Sequence, residues 1–175
     1  MNSTFYTVTP LYTSSKLKKE QNLNIYYKME CSQPSGSFKI RGMETLCRHH
    51  FARGKRSFVA SSGGNAGYSL AYVGKQLGVK VKVVVPKTTS VLMIAKIKNL
   101  GASVQIVGNV WDEADQYARK VAEETDAVYV SPFDDPLLWK GHASLIDECA
   151  QQMPQPDKII VSVGGGGLLC GIFEG

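Results

Sequence analysis

Three short runs hold the residues with the most chemistry. In Gln33-Pro34-Ser35-Gly36-Ser37-Phe38-Lys39-Ile40-Arg41-Gly42, a turn-forming Pro-Ser-Gly-Ser stretch leads into a helical pattern whose second residue is Lys39. A lysine in a first helical turn sits against the macrodipole, which disfavours the cation and favours the neutral, nucleophilic amine. The plain alternative is an exposed lysine. In Ser61-Ser62-Gly63-Gly64-Asn65-Ala66-Gly67, a strand delivers two hydroxyls, unhindered amides and a carboxamide to the start of a helix. Free N–H groups there suit a carboxylate, and Asn65 either hydrogen-bonds a ring hydroxyl of a ligand or simply caps the helix. In Gly164-Gly165-Gly166-Gly167-Leu168, four consecutive glycines offer no side chains to a core. They open a nest of amides that, with the dipole of the helix beyond, suits a phosphate dianion. A flexible connection is the alternative.

A nucleophilic lysine, a carboxylate-plus-hydroxyl loop and a phosphate nest describe together a site for pyridoxal phosphate and an amino acid. Neither common nucleotide fingerprint fits. No GxGxxG can be read through residues 164–171, and no GxxxxGK[ST] occurs in the chain, which weakens a nicotinamide-dependent oxidoreductase.

Positioning such loops takes alternating strands and helices. Beta-rich runs at Leu23 to Met29, Ser57 to Ser61, Val79 to Val85, Ser103 to Val107, Ala127 to Val130 and Lys158 to Val163 predict strands. Helical patterns fill the gaps at Phe38 to Ala52, Asn65 to Leu77, Ser90 to Leu100, Asp112 to Thr125 and Pro136 to Gln152. Gly54, Gly78 and Gly101 punctuate helix ends, and right-handed crossovers then give a doubly wound α/β fold with a parallel sheet.

Composition agrees with a packed globular protein: 175 residues, 43% hydrophobic and 20% charged. The formal charge of +5 is mild, and the basic group Arg48, His49, His50, Arg53, Lys55 and Arg56 reads as a solvated helix end, so no nucleic-acid partner is expected. Acidic residues from Asp112 to Asp126 read likewise as one wet helix face. Cys31, Cys47, Cys149 and Cys170 form no CxxC pair, which predicts a reducing compartment, no disulfide framework and no metal site. No apolar stretch approaches the length of a membrane span, so a cytoplasmic protein is expected. His49, His50 and His142 read as structural or solvated, and Trp111 and Trp139 as packing residues.

The runs Ser37-Phe38-Lys39-Ile40-Arg41-Gly42, Ser61 to Gly67 and Gly164 to Leu168 resemble the signature loops of the L-serine/L-threonine dehydratases of pyridoxal-phosphate fold type II. Pro132-Phe133-Asp134-Asp135-Pro136 and Trp139-Lys140-Gly141-His142-Ala143-Ser144 resemble the eukaryotic-type serine dehydratase and serine dehydratase-like branch, and the similarity runs over nearly the whole chain. The resemblance implies pyridoxal 5'-phosphate as cofactor, an amino-acid substrate, and β-elimination to a keto acid and ammonia. It implies that Lys39 forms the internal aldimine and removes the α-proton, that Phe38 packs on the cofactor ring, and that Asn65 binds the ring's 3'-oxygen. The amides of Gly164, Gly165, Gly166, Gly167 and Leu168 would hold the phosphate, Ser62, Gly63, Gly64, Asn65 and Ala66 would line the substrate pocket, and Phe133 would wall it. Related racemases carry a serine where this chain has Gly63; without that hydroxyl, elimination is favoured over racemisation. Glycine there also predicts a slightly roomier pocket that admits threonine.

Family members are usually much longer. The resemblance therefore implies a truncated chain, in which residues 38–131 form the small α/β domain while 1–37 and 132–175 belong to an incomplete larger one. It also implies a homodimer at full length. Unpaired strand edges and exposed apolar surface are expected in the incomplete part. The alternative reading is an inactive fragment or a non-catalytic ligand- or partner-binding module of the same fold.

Overall fold

The computed structural model describes residues 3–175. Its centre is a parallel sheet built from β3 (Ser57–Ala60), β4 (Lys80–Val85), β5 (Ser103–Ile106) and β6 (Val128–Tyr129), in the spatial order β5-β4-β3-β6. Phe58 pairs with both Val81 and Val128, and Val83 with Val104. The valine-rich runs suit a sheet covered on both faces. Alternation along the strands divides the core in two. Phe58, Ala60, Val81, Val83 and Val85 face α2 (Lys39–Ala52), α3 (Asn65–Leu77) and α6 (Pro136–Gln152), while Val59 and Val84 face α5 (Trp111–Glu124) through Ala114, Ala118, Val121 and Ala122.

The chain steps outward from β3 through α3, β4 and α4 (Val91–Asn99) to β5, and α5 then carries it back to β6 on the other side of β3. The direction of winding thus reverses between β3 and β6, and the loops leaving those two strands meet at one end of the sheet. Gly54, Gly78 and Gly101 end or follow α2, α3 and α4 with φ of 88°, 65° and 89°, as their spacing predicts.

Outside the sheet, β1 (Leu11–Thr13) pairs antiparallel with β2 (Tyr26–Lys28) across α1 (Ser15–Gln21). Sequence reasoning found neither β1 nor α1. Both are short, and the burial pattern of α1 holds no buried residue, so no amphipathic stripe marks it. A 3-10 turn at Glu30–Ser32 leads to the first loop. Beyond α6, the expected strand Lys158 to Val163 is not one: the run pairs with no strand among the described residues, and Ile160 is 97% exposed. Its β-propensity has no neighbouring edge to bond. The short α7 (Gly167–Glu174) then packs on α6. The wet-face reading of α5 also fails at one position, because Asp115 is only 7% exposed.

Candidate active site

Lys39 is the first residue of α2, and that helix's position is set by backbone contact with α6. A Cβ on Gly141 would meet Gly42 Cα at 2.6 Å, so the two helices approach as closely as glycine allows. Arg41, two residues on, is fully buried and held by Glu30 at 2.8 Å and Glu148 at 2.6 Å. Lys39 Nζ reaches across to donate a 2.6 Å hydrogen bond to the Pro132 carbonyl, in the loop after β6. Burial pushes the amine's pKa below that of a free lysine. Desolvation is thus the cause, where the sequence pointed to the helix dipole. The Phe38 ring centroid lies 5.0 Å from the same Nζ.

Pro132 is followed by Phe133, and the tetraglycine turn lies on that ring. A Cβ on Gly165 would strike the Phe133 side chain, and one on Gly167 would strike its carbonyl. Gly166 caps α7 with φ of 84°, a conformation that excludes most other residues. Gly164 opens to free space and Leu168 is half-buried. The first N–H groups of α7 have no intrahelical acceptor, and this glycine cradle leaves them open to an anion. Trp139 Nε1 fixes Phe133 from below by donating to its carbonyl at 2.9 Å.

The second loop joins the same junction from β3. Trp111 Nε1 donates to the Ser61 carbonyl at 2.7 Å, and the Trp111 and Phe133 ring centroids stand 6.4 Å apart. On the other side, Ser69 Oγ donates to Ser35 Oγ at 2.9 Å, which ties α3 to the loop preceding Lys39. Gly64 is the N-cap of α3, so Asn65 is not; its side chain is exposed and makes no hydrogen bond among the described residues, leaving it for a ligand. Ser62 is half-buried and accepts from the Gly64 amide at 3.3 Å. Ala66 is 4% exposed and belongs to the core, so only its amide can serve a ligand. Gly63 differs from expectation. A Cβ there would meet Thr89 Oγ1 at 2.8 Å, so the space that glycine frees is filled by Thr89 and the pocket is not roomier. No hydrogen bond joins this loop to Lys39 directly among the described residues. A cavity of about 220 Å³, lined by Trp111, Arg119, Tyr129, Ser131 and Phe133, opens beside the junction.

Three residues at the site carried no sequence signal of a role there. Trp111 and Trp139 read as packing side chains, yet each N–H holds a site loop. His142 lies edge-on to Phe38, centroids 4.9 Å apart, and Gly42 leaves room for its ring. It is 1% exposed, neither ring nitrogen has a partner, and burial with the charges of Lys39 and Arg41 lowers its pKa to about 3. Ser37 Oγ is likewise buried without a partner.

Comparison with known proteins agrees with this geometry. The family described as pyridoxal-phosphate dependent enzyme matches residues 3–175. The chain is 48% identical over 169 residues to the L-serine dehydratase/L-threonine deaminase of Mus musculus, covering 95% of this chain and 52% of that protein. It is 44% identical to the serine dehydratase-like protein of Homo sapiens, covering 98% and 52%. The crystal structure of a fungal L-serine ammonia-lyase from Rhizomucor miehei superposes with a TM-score of 0.90 at 36% identity, covering 98% of this chain and 56% of that one. The chain spans about half the length of the relatives it matches. With its glycine cradle, its half-buried lysine and its match along residues 3–175, the chain belongs to the pyridoxal-phosphate dependent enzyme family and has that family's type II fold.

Proposed function

We propose that the protein is an L-serine or L-threonine dehydratase, which eliminates the β-hydroxyl of its substrate to yield pyruvate or 2-oxobutanoate and ammonia. The observation that carries this reading is the junction at Pro132 and Phe133. There a desolvated Lys39 amine hydrogen-bonds one residue and a glycine cradle roofs the next. Gly165 and Gly167 let the turn close onto Phe133, where a Cβ would clash, while Gly164 and Gly166 face open space, so the turn's amides can gather about an anion such as a phosphate.

Pyridoxal phosphate, when bound, supplies an electron sink for the carbanion at the substrate's α-carbon. The chain's own residues do the rest. Gly164, Gly165, Gly166, Gly167 and Leu168 would hold the phosphate through their amides at the start of α7, and Asn65 at the start of α3 would offer its carboxamide to the ring oxygen. Phe38 and Phe133 would confine the ring's surroundings, and Lys39 would anchor the cofactor and, when freed from it, hold the α-proton at Nζ. Its lowered pKa keeps a fraction of the amine unprotonated and able to act as a base. Ser62, Gly63, Gly64 and Ala66 present the amides that bind the substrate carboxylate.

The same reading makes residues 38–131 the small domain and places 1–37 and 132–175 in the larger one, with a homodimer as the assembled form. It assigns the protein to the cytoplasm. All four cysteines are free. No helix among the described residues is long and apolar enough to cross a membrane.

The test adds pyridoxal phosphate to the chain and to its Lys39→Ala variant. A visible absorbance band that depends on Lys39, followed by keto-acid release from L-serine or L-threonine, is the expected result. A Lys39-dependent band with no keto acid from either substrate would leave a binding module in its place. Absence of any Lys39-dependent band would overturn the assignment of Lys39.

A further inference from the structure

We propose that Asp115 is a positioning residue that fixes the Ser62 to Ala66 loop through Ser61; this rests on reading that loop as the substrate-carboxylate pocket. Asp115 stands apart from the other acids of α5. Asp112, Glu113, Glu123 and Glu124 are exposed, whereas Asp115 is buried at 7%. A carboxylate in that position needs donors, and it has three. Ser61 Oγ and Tyr129 Oη both donate to Oδ1, and Arg119 Nε donates to Oδ2 at 2.8 Å. Arg119 also donates to Tyr129 Oη at 3.2 Å and lies over that ring, 4.1 Å from its centroid.

Ser61 receives a second grip from the same helix. Trp111 precedes Asp115 by four residues, so both lie on one face of α5, and Trp111 Nε1 holds the Ser61 carbonyl at 2.7 Å. The side chain and the carbonyl of this fully buried residue are therefore both set from α5. Beyond it the chain must turn at once, because the Ser62 carbonyl lies against Gly67 where no Cβ fits. Between these two fixed points stand Gly63 and Gly64. Glycines left to themselves sample wide φ and ψ, so the aim of the loop's amides depends on its anchors.

The sequence disguised this arrangement, since Asp115 reads as one acid among several on a charged face. Only the return of α5 across the sheet brings it beneath β3 and β6.

The test compares the full chain with Ser61→Ala, Asp115→Asn and Ser61→Thr, by amide hydrogen exchange and by spectral titration with pyridoxal phosphate and then L-serine. In Ser61→Ala and Asp115→Asn, exchange at the amides of residues 62–66 should rise about tenfold, the effect of one net hydrogen bond, while amides in β4 and in mid-α2 change less than about twofold. L-serine affinity should weaken about tenfold in both, with cofactor affinity held within about threefold. Ser61→Thr keeps the hydroxyl and should restore both quantities. Unchanged exchange in the loop, a rise spread over the whole chain, or equal losses of cofactor and L-serine affinity would each overturn the proposal. If the unmodified chain binds no L-serine, the proposed function fails, and the exchange measurement alone still decides whether Asp115 fixes the loop. Should Asp115→Asn not fold, Ser61→Ala carries the test.

Discussion

Lys39 and His142 share one desolvated region, and burial drives each toward its neutral form. For Lys39 this serves chemistry. For His142 it has a cost, because an unfolded imidazole titrates near 6.5 while the folded one does so at about 3. Between those values the unfolded chain binds the extra proton, so stability falls as pH drops below about 6.5, by roughly 1 kcal/mol per pH unit from this residue, and is unaffected above it. Asp115 and Glu148 add an acid-sensitive contribution of their own. Burial raises their pKa values, but hydrogen bonds outweigh it: from Ser61, Tyr129 and Arg119 at Asp115, and from Arg41 and Lys28 at Glu148. Both carboxylates persist in a His142→Gln variant, so the difference between the two proteins isolates the histidine. Urea midpoints measured from neutral pH down to about pH 4 should fall less steeply in the variant than in the parent. Parallel slopes would show that His142 is not buried as described. The histidine's type was legible in the sequence, yet nothing in the linear spacing brings Phe38, Gly42 and residue 142 into contact.

At the scale of elements, α2 and α6 act as one support for the Lys39 loop. Gly42 and Gly141 bring their backbones together, and the buried Arg41 bridges Glu30 and Glu148, with Lys28 on the same Glu148 carboxylate. Burial opposes the arginine's charge, but those two carboxylates outweigh it and raise its pKa. Removing the cation takes the shared partner from the half-buried Glu30 and the buried Glu148, with Lys28 alone left on the latter. Arg41→Ala should therefore cost about 3–5 kcal/mol in urea unfolding, well beyond a surface substitution. A loss below about 1 kcal/mol would show that the cluster does not brace the helices. The existence of α2, α3, α5 and α6 was legible from apolar periodicity and glycine stops, and that of β3 and β4 from short apolar, β-rich runs. The ends of β5 and β6, and β1 and α1 altogether, were not, because short elements with few buried residues carry little periodic signal.

Across the whole molecule, one group of exposed apolar side chains lies late in the chain. Ile159 is 51% exposed, Ile160 97%, Val163 56% and Phe173 82%, and the 158–163 backbone pairs with no strand among the described residues. Extended apolar backbone with open hydrogen-bonding groups is a template for pairing with another chain. The 175-residue chain should self-associate with rising concentration, and Ile160→Lys should lower its weight-average mass in sedimentation at equal loading. Equal masses would show that this surface plays no part in association.

By itself the sequence determined the chemistry available: a lysine in a turn before a helix, an amide-rich serine loop, four consecutive glycines, and alternating elements that make a parallel sheet. These are local properties, set by residue type and by spacing within a few turns. Only the tertiary structure decided which groups meet. It placed Pro132 on Lys39, Phe133 beneath the glycine turn, Thr89 in the space left by Gly63, and Asp115 beneath Ser61. These partners stand up to 93 residues apart, as Lys39 and Pro132 do. Such pairings follow from the reversal of winding between β3 and β6 and from helix packing, which no linear pattern encodes.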